Sequence, residues 1–298
     1  MKFFIVFFFV SMLAFNLGVS LPIPEKPTFL SFKESFSTLF GDQNLRPLDA
    51  NGNSVRISLT KSTGSGFKSR SLYNSNFFSA SIKLPPNNTA GVVVAFYTTN
   101  ADVFKSNHDE IDFEFLWNVP GQEWIVQTNL FGNGNMQRGR EERYKLGFDP
   151  TQDFHSYSIL WNKNWIVFYV DDVPIRQLQR VDAMGGDYPS KPMSLYSTIW
   201  DGSDWATAGG KHKINFGFAP FNADFSKFVI PGNGCSTDQI QQCQDNANVQ
   251  KFVADFNGLK GDELSKMEDF RKKHMTYSYC HDRRRYPSAL PECIQVKG

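Results

Sequence analysis

Cysteine is scarce and late: the 298-residue chain has four, and none comes before Cys235. No two of Cys235, Cys243, Cys280 and Cys293 stand at the two-to-four-residue spacing of a zinc knuckle, so no metal is expected there, although His274 and His281 are close by. Four cysteines allow three pairings. Short loops close at lower entropic cost, which favours Cys235–Cys243 and Cys280–Cys293. Charge of one sign is missing too. A net charge of +1 excludes nucleic acid and anionic membrane as main partners. Internal repeats and low-complexity linkers are absent, and residues 30–230 hold no helical periodicity of useful length. A second long apolar run is also absent, which leaves no membrane span beyond the chain's first segment.

That first segment has Lys2, an apolar run from Phe3 to Phe15, and the small residues Gly18 and Ser20 ahead of Leu21-Pro22. It reads as a signal peptide over residues 1–20, too short for a comfortable span. The mature chain is therefore expected to be soluble and extracellular, where disulfides persist. Asn87-Asn88-Thr89, just after Pro85-Pro86, is an N-glycosylation sequon in a turn-rich stretch.

Short apolar or alternating runs recur from residue 30 to 230: Val55–Leu59, Phe77–Leu84, Gly91–Tyr97, Glu110–Leu116, Ile125–Leu130, Tyr157–Trp161, Ile166–Val170 and Pro192–Trp200. Glycine- and asparagine-rich turns separate them. This spacing predicts an all-β sandwich or barrel over residues 21–230. Aromatic residues make up 15% of the chain, a content that the core of such a protein accounts for. Residues 231–298 differ. Asp238–Asp245 and Val249–Met275 are rich in Gln, Lys and Glu, with Val253, Phe256, Leu264, Met267 and Phe270 recurring among them. One or two helices are expected, in a small extension stapled by the disulfides.

The chemistry concentrates in His108-Asp109-Glu110-Ile111-Asp112-Phe113-Glu114-Phe115. On a strand, Glu110, Asp112 and Glu114 share one face, and Ile111, Phe113 and Phe115 share the other. Aligned carboxylates repel and cost stability, so the pattern points to an enzyme that needs carboxyl groups in different protonation states. Residues i and i+4 lie roughly 13 Å apart at about 3.3 Å per residue. Side chains leaning together bring the two Glu carboxyls to roughly 5 Å, near the gap of a retaining glycosidase, whereas an inverting one needs about 6.5–9.5 Å. Asp112 sits between them and can hydrogen-bond to either. His108 lies on the same face and either donates to Glu110 or substrate, or only bounds the site. Clustered carboxylates also bind hard cations, but a single strand offers ligands in a line rather than a shell.

The octapeptide resembles the signature of plant xyloglucan endotransglucosylase/hydrolases, in glycoside hydrolase family 16. Segments 77–85, 90–97, 127–130 and 154–157 are similar to the family, as are Trp200-Asp201, Asp204 to Thr207 and the tail from Tyr279-Cys280 to Pro291-Glu292-Cys293. The resemblance implies a concanavalin-like curved β-sandwich (jelly roll) with its cleft on the concave face, and a C-terminal extension that lengthens the acceptor side. It implies Glu110 as nucleophile, Glu114 as general acid/base and Asp112 as the assisting residue. The implied reaction cuts the β-1,4-glucan backbone of xyloglucan and passes it to another xyloglucan end, or to water, without a cofactor, in a monomer of the cell wall or apoplast. A non-catalytic wall-binding lectin is the alternative of another class.

Gln127 and Asn129 alternate on a neighbouring strand and are read as substrate contacts. Trp200 and Trp205 flank the polar loop from Asp201 to Asp204; the two rings, Asp201 and Tyr97 join the candidate sugar-binding set. Arg138, Arg140 and Arg143 read as solvated charges or structural pairs. Two departures from the family stand just past the signature. Trp117 replaces the usual glycine and faces away from Glu114 by alternation, which implies packing or a loop role. Asn118-Val119-Pro120 lacks the family's common sequon.

Overall fold

The computed structural model describes residues 28–116, 119, 121–240, 243 and 250–294. The leader, Trp117 and Asn118-Val119-Pro120 as a motif therefore lie outside the described residues. Two antiparallel sheets face each other. The first has eight strands: β1 (Phe36–Phe40), β4 (Ser65–Ser69), β13 (Ser194–Asp201), β6 (Val92–Thr99), β7 (Glu110–Leu116), β8 (Ile125–Phe131), β9 (Glu142–Lys145) and β15 (Met275–Ser278), in that spatial order. The second has seven, ordered β12 (Val173–Gln179), β11 (Trp165–Val170), β10 (His155–Trp161), β5 (Asn76–Lys83), β14 (Phe221–Val229), β3 (Val55–Leu59) and β2 (Leu45–Pro47). The all-β sandwich expected from the strand spacing is what the chain forms.

Alternation in β7 does the positioning. Ile111, Phe113 and Phe115 are fully buried between the sheets. Phe113 meets Phe168 edge-on at 5.1 Å, and Phe115 meets Tyr157 at 4.6 Å. Burying side chains of this size stabilises the strand by roughly 1.5–3 kcal/mol each. It also fixes register, because a one-residue slip would turn every carboxylate inward.

The tail is not set apart from the sandwich. Its strand β15 pairs with β9, with Tyr277 opposite Arg143 and Ser278 opposite Glu142. The helix Gly261–His274 and the turn Lys251–Ala254 place Val253, Phe256, Leu264 and Met267 against Leu160, Val167 and Tyr169 of the seven-stranded sheet. In the stretch Asp238–Asp245, where a helix is expected, the described residues show a 3-10 turn at Thr237–Gln239 followed by α-helical backbone at Ile240 and Cys243. No helix among the described residues is long and apolar enough to cross a membrane.

Cys235 bonds to Cys243 and Cys280 to Cys293, with Cα atoms 5.6 and 5.5 Å apart. Replacing both Cys280 and Cys293 by serine is expected to cost about 3 kcal/mol through the freed loop. A lower denaturation midpoint for the variant than for the oxidised parent checks this.

Candidate active site

Glu110, Asp112 and Glu114 open onto a cleft of about 560 Å³ on the outer face of the eight-stranded sheet. The register aligns the lining. Asp112 lies between Tyr97 of β6 and Asn129 of β8, and Glu114 lies between Ala95 and Gln127. Trp200 and Thr198 of β13 close one side, with Trp205 in the following loop. The two indoles lie 6.0 Å apart and tilted by 41°. Their loop is tied to the start of β6: the Gly91 N–H donates to Thr207 Oγ1 and the Gly91 carbonyl accepts from Gly202. Gly91 has φ +81°, and a Cβ there would come within 2.7 Å of the Ile214 nitrogen, so only glycine allows this approach. Tyr97 stacks on Tyr196 at 5.4 Å.

The cleft therefore gathers Glu110, Asp112, Glu114, Gln127, Asn129, Tyr97, Trp200 and Trp205. It does not gather Asp201 or His108. Asp201 alternates away from Trp200, is exposed, and accepts from the Ser203 N–H at 2.9 Å; it shapes the loop rather than lining the cleft. His108 is half-buried against the edge of Phe131, which itself lines the cleft opposite Glu110.

Several contributors escaped the sequence reading. Asp109, fully buried, accepts from the backbone of Asn133, Ser190 and Lys191 and from Lys191 Nζ at 2.6 Å, and so anchors the start of β7. Arg140, read as a solvated charge or a structural pair, is the latter: it is completely buried and paired with Asp187 and Glu292. Arg143 donates through Nε to Gln127 Oε1 at 2.6 Å, and Gln127 Nε2 donates to Glu114 Oε2 at 2.5 Å. The signal for Arg143 was its position opposite Gln127 on β9, but β9 lies in a charged run that does not look like a strand. Leu39, Phe40 and Met136 add apolar surface to the cleft.

The carboxyl groups resist ionisation together. Burial pushes Glu110 and Glu114 up to about 7, and the Glu114 charge adds to the rise at Glu110. Asp112, deepest of the three, is pushed well above the carboxylate range by burial and then by both Glu charges, against a hydrogen bond from Asn129. Three such groups cannot all be charged at neutral pH, so the site holds protons that it can give and take back. A carboxyl raised on folding binds its proton more tightly in the folded state. Each Glu therefore costs stability as pH rises from its unfolded value near 4.5 through about 7. Glu110→Gln removes one such charge. Its melting temperature is expected to exceed that of the parent at pH 8, with the difference shrinking towards pH 4.5.

Similarity to known proteins agrees with this geometry. The sequence profile of glycosyl hydrolases family 16 matches residues 32–217, and that of the xyloglucan endo-transglycosylase C-terminus matches residues 244–293. The chain belongs to glycosyl hydrolase family 16. In Arabidopsis thaliana, "Probable xyloglucan endotransglucosylase/hydrolase protein 27" is 55% identical over 89% of this chain and 79% of its own length. Protein 28 of the same series is 51% identical over 98% of this chain and 87% of its own. Among solved structures, the Bacillus licheniformis β-glucanase has a TM-score of 0.52 at 23% identity, covering 66% of this family 16 chain and 91% of that one. The endo-β-1,3-glucanase of Pyrococcus furiosus has a TM-score of 0.53 at 20% identity, covering 66% and 89%. At these identities the two structures show the shared fold.

Proposed function

We propose that the protein is a retaining xyloglucan endotransglucosylase, secreted to the cell wall and acting there as a monomer. One observation carries the reading: three carboxyls on one strand face line a cleft with Trp200 and Trp205 beside them, in a chain whose relatives are named xyloglucan endotransglucosylase/hydrolases. Glu110 attacks the anomeric carbon of a backbone glucose while Glu114 gives its proton to the departing glycosidic oxygen. The result is a glycosyl ester on Glu110 and a free chain end. Glu114, now ionised, takes the proton from a hydroxyl of an incoming xyloglucan end. That oxygen bonds to the anomeric carbon, and the Glu110 carboxylate leaves. Asp112 keeps its proton and hydrogen-bonds to whichever glutamate carries charge. Trp200, Trp205 and Tyr97 offer flat apolar faces to sugar rings, and Asn129 offers an amide.

The leader pattern of residues 1–20 and the two disulfides support secretion. The exposed turn at Asn87 supports glycosylation at that sequon. The test is incubation with xyloglucan polymer and a labelled xyloglucan oligosaccharide. Label entering polymer with few new reducing ends is the expected result. New reducing ends without label would make water the acceptor and the protein a hydrolase of the same bond. Binding without either product would leave a lectin.

A further inference from the structure

Arg143 has only donors to offer. Its Nε faces Gln127 Oε1 at 2.6 Å, so the amide must turn its NH2 the other way, and that NH2 meets Glu114 Oε2 at 2.5 Å. Without Arg143, only the charge state of Glu114 itself selects between the two ends of the Gln127 amide. Turned over, Gln127 would present a carbonyl to Glu114, which a charged carboxylate repels and a protonated one accepts. Arg143 is itself held from the tail. Tyr277, opposite it in the β9–β15 register, places its ring 5.2 Å from the guanidinium. Glu141 lies 3.7 Å from Arg143 and is tied at 2.6 Å to Arg285 of the tail.

We infer that Arg143, braced by the tail strand, is a positioning residue that fixes the Gln127 amide so that Glu114 is steadied in its ionised form. The inference rests on the proposed role of Glu114 as acid/base. Its consequence is a division between the half-reactions. Forming the glycosyl-enzyme needs Glu114 protonated, whereas transfer needs it ionised to accept the proton of the incoming hydroxyl. A device that favours the ionised form favours the second step.

The other titratable and polar groups that line the cleft with Glu114 are Glu110 and Asp112 on β7, Tyr97 on β6, Asn129 on β8 and Glu141 ahead of β9. Glu141 opposes ionisation of Glu114, while Gln127 and Arg143 favour it. Arg143 is therefore the one cation in this set, and Glu141 gains a second cation in Arg285.

The experiment reads the titration of Glu114 directly, with 13C-labelled glutamate carboxyls and assignment by the signal lost in Glu114→Gln. In Arg143→Met the midpoint is expected to rise by about one pH unit. Arg143→Lys, which keeps a donor for Gln127, is expected to bring it most of the way back. Tyr277→Leu, a milder variant whose fold does not depend on a buried charge, is expected to move it the same way by less. The pH profile of transfer should shift upward in parallel. An unmoved midpoint in Arg143→Met and Tyr277→Leu, with only the acceptor KM raised, would overturn the inference and make Arg143 a plain binding residue. A moved midpoint in a protein that processes no xyloglucan would leave the positioning role standing and sink the proposed function instead.

Discussion

Glu110→Ala is expected to lower both label transfer and release of reducing ends by at least about ten-thousand-fold, because no other group replaces a lost nucleophile. Glu114→Ala is expected to lose about 10²–10⁴-fold, the usual share of general acid–base catalysis. Rates alone do not separate the two roles. The stereochemistry of rescue does. With an activated aryl glycoside of a xyloglucan oligosaccharide and added azide, Glu110→Ala leaves a space on the face that the carboxylate occupied. Azide attacks from there and gives the α-glycosyl azide. Glu114→Ala still forms the glycosyl ester, and azide then attacks from the opposite face to give the β-glycosyl azide. Identical products from the two variants, or rescue of neither, would contradict the assignment. The fold should survive both changes. Each variant removes a carboxyl that burial already disfavours in its charged form, so melting temperatures at pH 7 should not fall.

The same strand shows what a sequence can reveal about such a site. Period-two alternation from Glu110 to Leu116 was enough to assign faces, because one face is entirely apolar and packs on Tyr157 and Phe168. Val55–Leu59 and Glu110–Leu116 have the bounds that the pattern gives. Gln127 and Asn129 were legible as a pair on one face for the same reason. The charged strand β9 was not. Glu142 and Tyr144 face inward while Arg143 and Lys145 face out, so its alternation is polar on both sides and carries no hydrophobic period. Strand β15 was hidden likewise in a tail that reads as helical. The contribution of Arg143 depends on both strands and on a side chain two steps from the carboxyl, which no local pattern encodes. Asp201 misled in the opposite direction: it adjoins Trp200 in sequence, but neighbours on a strand point to opposite faces.

Glu142→Ala is expected to cost about 3–5 kcal/mol, the cost of stranding buried charge, and so a large part of the roughly 5–15 kcal/mol of a whole domain. Glu142 is 3% exposed. It receives Arg271 at 2.6 and 2.9 Å, Arg176 at 3.2 Å, Ser278 Oγ at 2.9 Å and the Tyr144 hydroxyl. These partners come from the helix Gly261–His274, β12, β15 and β9, so one carboxylate joins the tail to both sheets. Despite its burial, the two guanidinium groups hold it down at about 2, below its ordinary 4.5. A depressed carboxyl stabilises the fold above its unfolded value and loses that contribution as pH falls towards 2. The parent should therefore weaken across that interval, and Glu142→Ala should lack this part of the acid transition. Breaking the network and replacing it should differ in cost. Glu142→Leu combined with Arg176→Met and Arg271→Met leaves no unpaired charge and is expected to be more stable than Glu142→Ala. If denaturant midpoints rank the triple variant below the single one, hydrogen bonding rather than charge balance governs this site. The site itself should feel the single change. Arg176 also donates to Thr128 Oγ1 at 2.8 Å, on the strand that carries Gln127 and Asn129. Hydrogen exchange should therefore rise first in β8, β9 and β15, and transfer should weaken at temperatures where the rest of the sandwich is still folded.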